Sequence, residues 1–409
     1  MEGLDRPEIT PDVTAALLQA IGSYDDRVRR QAWTQDAIRM QLRQRLIELY
    51  STHSDPEVHS SADRALRRWG IVRAIQRVDS VLQQREVSEK QTWYEPLHAP
   101  TMVIFKGPRE ETIGFRSSDA TANETVSADE HERIVRIPYS FAIASTEVTH
   151  AMWHRSLEDY TQRSAPGNPR VAHAGLNWQQ AAGYCNRLSR IEGIDPSQWC
   201  YEVIPQTTLL REKPNALSLT GYRLPTENEW EIACRGGSIT TWPWGTDAAL
   251  RDQYANVGGD EEAKQGDFDS VGIRKPNMSG LFDMLGNVSE WNHDAYQVGG
   301  EPRRGVRGGS VFTELQRANP WSRWRVYEAK SPPHSRIGFR VARTIPKQEP
   351  GGISRLLELS VRTATTAETE SIQPIAAAFR PVDSDDRPLA GDLNGDCVDD
   401  NGQPIVLSN

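Results

Sequence analysis

Apolar residues recur at helical spacing through the first part of the chain: Ile38, Leu42, Leu46 and Leu49, then Val58, Ala62, Leu66 and Trp69, then Ile71, Ile75, Val78 and Leu82. The spacing predicts helices across residues 12–88, joined as a small hairpin or bundle. Between the first two runs, Ser54-Asp55-Pro56-Glu57 reads as a helix start: Asp55 can cap orphan amides and Pro56 suits the first turn. A single pair of turns does not establish a solenoid, which needs several stacked units. The amphipathic stripes suit either burial against the rest of the chain or the binding of a partner protein.

From Met102 the pattern changes to short apolar runs between long polar stretches. Val103-Ile104-Phe105, Ile134-Val135-Arg136-Ile137 and Phe141-Ala142-Ile143 predict strands; Thr149 to Leu157 and Trp178 to Ile191 predict helices. A third helix should start at Thr226, where Thr226 and Glu229 form a capping box after Pro225. Past Arg343, Pro346-Lys347-Gln348-Glu349-Pro350-Gly351-Gly352 reads as a linker. The expected organisation is a helical domain over 1–95, an α+β domain over 96–345 and an acidic, disordered tail over 346–409.

Charge sharpens that division. The net charge of -9 sits mostly in the tail, which has five Lys/Arg against eleven Asp/Glu, while residues 1–93 balance at fourteen against fourteen. No basic footprint for nucleic acid follows. The arginines of the helical part interleave with acids and read as a solvated face. Met1 to Thr14 lacks the pattern of a signal peptide, and no run long enough to span a membrane occurs. Four cysteines, Cys185, Cys200, Cys234 and Cys397, fit no zinc spacing.

Three motifs carry a family resemblance. They are Gly221-Tyr222-Arg223-Leu224-Pro225-Thr226-Glu227-Asn228-Glu229-Trp230-Glu231, then Gly286-Asn287-Val288-Ser289-Glu290-Trp291, then Arg307-Gly308-Gly309-Ser310 with Ile337-Gly338-Phe339-Arg340-Val341. In this order they resemble the formylglycine-generating enzyme, or sulfatase-modifying factor, family. The likeness runs from about Thr101 to Arg343 and includes the Thr146 to Trp153 stretch. It implies a loop-rich α+β fold related to C-type lectins.

The resemblance also implies chemistry, and this chain departs from it. Catalytic members place two copper-binding cysteines after the Arg-Gly-Gly-Ser motif, at positions that here are Thr313 and Ala318. Neither supplies the thiolate that soft Cu(I) requires, so copper and the cysteine-oxidising activity are not expected. Cys185 and Cys234 match positions that pair in disulfides in secreted members, but the partner positions are Val341 and Arg323. That loss favours a reducing, cytoplasmic setting, with a Cys185–Cys200 bridge left open.

Calcium is the expected cofactor. The family's ligand pattern carries onto Asp283, Gly286, Val288 and Glu290, with a second site beginning at Asn256 and Val257; a tight loop of hard oxygens is what calcium needs. The alternative for Glu290 is a bond to backbone amides that closes the loop. In the tail, Asp392 to Asp400 resembles the first half of a dockerin calcium loop, left incomplete by Cys397 where the turn glycine is expected and Gln403 where the closing carboxylate is expected. His150 and His154, four apart, could share a helix face, but the ligand count argues against iron.

For ligand recognition, Ser310, Thr313, Trp321, Trp324, Arg325 and His293 are the groove candidates, because aromatic and guanidinium groups make binding hot spots. Arg307 is expected to pair with a buried carboxylate such as Glu229 or Glu231. The leading expectation is a calcium-stabilised, non-oxidising module for a peptide, protein, glycan or small ligand. An oxygen-dependent oxidoreductase with another ligand set is the alternative. A third reading has the helical domain engaging a signalling protein.

Overall fold

The computed structural model describes residues 10–23, 36–85, 87–116, 130–157, 168–258, 268–298, 301–328 and 333–346, with backbone alone at 36–39, 298, 301–302 and 324–328. Apart from Pro346, the expected tail, with its dockerin-like segment, lies outside them. Two units are present, and the boundary falls between Thr92 and Trp93, three residues before the one expected.

In the first unit the periodic runs become α1 (Pro11–Gly22), α2 (Asp36–Thr52), α3 (Pro56–Arg68) and α4 (Val72–Leu82). Asp55 caps α3 as its sequence foretells, accepting from the amides of Glu57 and Val58 ahead of Pro56 in the first turn. The other three helices pack on α3, which buries Val58, Ala62, Ala65 and Leu66 completely. Where α1 meets α3, a Cβ on Gly22 would stand 3.1 Å from the Cα of Ala65, so small residues set the close approach. On α3, His59 stacks on Tyr50 of α2 at 4.4 Å, and the Tyr50 phenol bonds Asp79 of α4.

The second unit is built on a five-stranded antiparallel sheet. Its strands are β1 (Trp93–Tyr94), β2 (Met102–Phe105), β5 (Ser140–Ala144), β8 (Tyr222–Arg223) and β13 (Ala342–Ile345), in the order β1-β2-β5-β13-β8. Phe141, Ala142, Ile143 and Ala144 are fully buried, the continuous apolar run of a strand covered on both faces. β13 thus brings the end of the described chain to an inner position beside β5 and next to the Arg223 motif. Two-stranded pairs, β3 (Arg109–Ile113) with β4 (Arg133–Ile137) and β6 (Tyr201–Val203) with β7 (Leu210–Glu212), form separate small sheets.

A four-stranded sheet carries the other motifs. It orders β11 (Trp324–Glu328), β10 (Glu301–Arg307), β9 (Ser289–Val298) and β12 (Ile337–Gly338), with β12 parallel to β9. Glu290 and Arg307 are thereby register partners across β9 and β10. Helices α5 (His150–Arg155), α6 (Trp178–Ile191), α7 (Glu227–Arg235) and α8 (Arg251–Tyr254) complete the unit. Both α6 and α7 open with capping boxes, Asn177 with Gln180 and Thr226 with Glu229; α7 ends at Gly236 with φ +56°. Cys185, Cys200 and Cys234 are buried free thiols, so the bridge left open by the sequence is not formed.

Candidate functional site

The segment after the third motif is a closed turn. Gly308 and Gly309 hold φ of +85° and +69°; a Cβ on Gly308 would meet the carbonyl oxygen of Met284 at 2.9 Å, and one on Gly309 would meet the Thr313 side chain at 2.9 Å. Thr313 then closes the turn twice: its amide donates to the Ser310 carbonyl (2.8 Å) and its hydroxyl oxygen accepts from the Ser310 amide (2.9 Å). Ala318 is fully buried, and its carbonyl accepts from the indole of Trp242 (3.1 Å). The two positions that would carry copper thiolates are thus a hydroxyl spent on a turn and a methyl group in the core.

The four groove candidates whose side chains are described, Ser310, Thr313, Trp321 and His293, are all buried. Trp321, expected in a groove, is 3% exposed; it packs edge-on against Phe115 (5.6 Å), lies under the Arg235 guanidinium (5.8 Å), and its carbonyl accepts from Arg307. That is a core position, because an indole of this size releases most free energy when buried. Ser310 and His293 are buried too; His293 meets the Tyr201 hydroxyl at 3.1 Å, and burial, reinforced by Arg223 and Arg304, lowers its pKa to about 3. Trp324 and Arg325 stand on β11, with side chains outside the described residues.

Ion pairs brace the motifs from inside. Arg307 pairs with Glu227 (3.1 Å) and more distantly with Glu231 (3.5 Å), while Glu229 belongs to Arg223, which it grips with both oxygens at 2.6 and 2.7 Å. Of the two partners expected for Arg307, Glu231 is therefore found and Glu229 is not, because the N-cap geometry of α7 turns Glu229 toward β8. Arg340 grips Glu290 with two bonds of 2.7 Å, and the Trp230 indole donates to the same carboxylate (2.7 Å). Bidentate guanidinium–carboxylate bonds of this kind are among the strongest neutralised pairs a core can hold.

Asp283, Gly286 and Asn287 all hold positive φ, and a Cβ on Gly286 would lie 2.2 Å from the carbonyl oxygen of Asn256, so only glycine permits the contact. The two segments expected to bind calcium, Asn256-Val257 and Asp283 to Glu290, therefore lie side by side, tied by the Asn287 amide to the Asn256 carbonyl (2.9 Å). Asp283 Oδ2 accepts from the Gly272 amide (2.8 Å), while its buried Oδ1 has no hydrogen-bond partner among the described residues. Glu147 is fully buried; Asn287 donates to its Oε1 (3.0 Å), and its Oε2 has no hydrogen-bond partner among the described residues.

Glu147 was not singled out from the sequence, although it sits in the Thr146 to Trp153 stretch. Burial, then the charge of Asp283, raises the Glu147 pKa well above the carboxylate range; burial lifts that of Asp283 to about 6. As a test of fit to calcium, Asp283 offers an open hard oxygen, whereas Glu290, expected as a calcium ligand with a bond to backbone amides as the alternative, has both of its oxygens held by Arg340 and Trp230. Val288 is buried beside Gly338. His150 and His154 do share α5, and His173 joins them, its pKa lowered by burial and then by the two neighbouring histidines to about 3.

Residues 96–345 match the family described as "Sulfatase-modifying factor enzyme 1-like domain". A mouse protein named inactive C-alpha-formylglycine-generating enzyme 2 is 34% identical over 143 residues, 32% of this chain and 46% of that protein. The hercynine oxygenase of Mycobacterium tuberculosis is 32% identical over 187 residues, 42% and 41% of the two chains. The bovine formylglycine-generating enzyme is 28% identical over 192 residues, 43% and 39%. The chain spans less than half the length of these relatives. Among solved structures, PvdO from Pseudomonas aeruginosa aligns over 61% of this chain and 95% of its own at a TM-score of 0.46 and 22% identity.

Proposed function

The chain belongs to the sulfatase-modifying factor family, and from that premise we propose that it is a non-oxidising binding or regulatory member. One observation carries the reading: Thr313 and Ala318 stand where the copper thiolates are expected, the first closing a turn and the second packed in the core. Oxygen activation at Cu(I) needs soft ligands, and this turn has none. The similarity to a relative whose name calls it inactive points the same way.

Calcium belongs to the same proposal, with a changed ligand set. The open oxygens of Asp283 and Glu147, joined by backbone carbonyls of the Gly286 to Val288 loop, would hold the ion, and Glu290 would stay with Arg340. The ion would neutralise the two carboxylates and stiffen the loop. Chelator treatment should lower the melting temperature of the wild type and leave Asp283→Asn unchanged; equal effects on both would remove calcium from the proposal.

The similarity to hercynine oxygenases favours one competing reading, an oxygen-dependent oxidoreductase with different ligands. Oxygen uptake with a cysteine-bearing peptide separates the two. We expect none above background, with no copper bound. Turnover with stoichiometric copper or iron would refute the non-oxidising reading.

A further inference from the structure

Three histidines converge at the start of α5. The Thr149 side chain caps the Met152 amide, so His150 and His154 stand one turn apart on a common face, with ring centroids separated by 6.5 Å. The segment bonded to the start of this helix supplies the third. The His150 amide donates to the Val171 carbonyl (3.0 Å) and the His173 amide to the Val148 carbonyl (2.7 Å), which sets the His173 ring 4.9 Å from that of His150 and 6.1 Å from that of His154.

The Nδ1 atoms of His150 and His173 are 2.9 Å apart, so one proton lies between them, donated by one ring and accepted by the other. Trp153 stacks on His173 at 4.4 Å, and the Arg187 guanidinium covers Trp153 at 5.0 Å, which fixes the His173 ring plane. All three histidines are partly exposed, so the cluster is open to solvent.

We propose that His150, His154 and His173 form a site for a divalent metal of borderline softness, Zn2+ being the probe, in which the ion replaces the proton shared by His150 and His173. Zinc–nitrogen bonds of about 2.0–2.1 Å at tetrahedral angles put ligand nitrogens about 3.3 Å apart and ring centroids about 5 Å apart. The His150–His173 pair therefore needs to open by only a few tenths of an ångström, and the His154 ring must swing in by roughly an ångström.

As the rings stand, their nitrogens do not meet at one point, and among the described residues no three His, Cys, Asp or Glu side chains are already grouped around a metal position. Closure by His154 is thus part of binding. Solvent access leaves the fourth coordination position to water, the pattern of sites with three protein ligands. The site shares no residue with the turn at Thr313, so it stands or falls separately from the loss of copper chemistry.

The test is calorimetric titration of the full-length, metal-stripped protein with Zn2+, with the visible spectrum of Co2+ as a readout of coordination geometry. The expected result is one equivalent of zinc, the intense Co2+ bands of a tetrahedral site, and affinity reduced in both His150→Ala and His154→Ala. Loss of a ligand should cost at least the roughly tenfold typical of outer-shell changes. His131→Ala, outside the trio, should bind as wild type. His154→Ala is the decisive variant because His154 is not part of the His150–His173 hydrogen bond, and circular dichroism verifies its fold. Absence of a one-equivalent event, unchanged affinity in His154→Ala, or an equal loss in His131→Ala would each overturn the site.

Discussion

At the scale of single residues, Arg340 organises the centre of the second unit. It has no exposed surface, grips Glu290 with two bonds, and donates to the carbonyls of Ala144 and Phe282, joining β5, the Asp283 loop and β9. Removing one partner of such a pair strands an uncompensated charge in the core. Arg340→Met should therefore destabilise the protein by about 3–5 kcal/mol, read as a lower denaturant midpoint. Glu290→Leu combined with Arg340→Met should cost less than the sum of the single changes, because the stranded charge is then gone. Strict additivity would mean that the pair carries no coupling and that each residue acts through its other contacts. The sequence showed both residues within motifs but not their pairing, since 50 residues separate them and any of several buried acids could have matched.

At the scale of elements, what could be read was what short-range chemistry determines. The α6 limits Trp178–Ile191 and the caps at Asp55 and Thr226 follow from side chains that satisfy amides two or three residues away. β2, β4 and β5 follow from short apolar runs. By contrast, β8 and β12 are two residues long and exist only because a distant strand offers hydrogen bonds, so no local pattern marks them. The same limit hid His173, which reaches His150 through backbone pairing 23 residues away, and the burial of Trp321. The caps also differ in weight. Thr226→Ala loses one capping bond and should cost about 1 kcal/mol. Glu229→Ala should cost more, about 3–5 kcal/mol, because it also unpairs the fully buried Arg223. Comparable midpoints for the two variants would show that the Arg223 pair adds nothing beyond the cap.

At the scale of the whole molecule, the two units carry different buried charges and should answer pH differently. In the helical unit, Glu57 of α3 is buried near Asp55 and Asp12; desolvation first, then these like charges, raise its pKa to about 8 from the 4.5 of a free carboxyl. The folded state then holds a proton that the unfolded chain has released. The contribution of Glu57 to stability is therefore greatest below about 4.5, falls as pH rises toward about 8, and levels off above that, by a few kcal/mol at most. Glu57→Gln keeps the shape and the contact with Gln19 but removes the charge, so it should abolish this slope. Hydrogen exchange at pH 5 and pH 8, corrected for intrinsic rates, reads it locally. Wild-type α1 and α3 should lose protection at the higher pH, and the variant should not. The second unit provides the internal reference: its own raised acids, Glu147 and Asp283, are present in both proteins, so β5 and β13 should respond alike. An unchanged slope in α3 of the variant would mean that Glu57 is ionised in the folded protein and that its surroundings hydrate more than its burial implies.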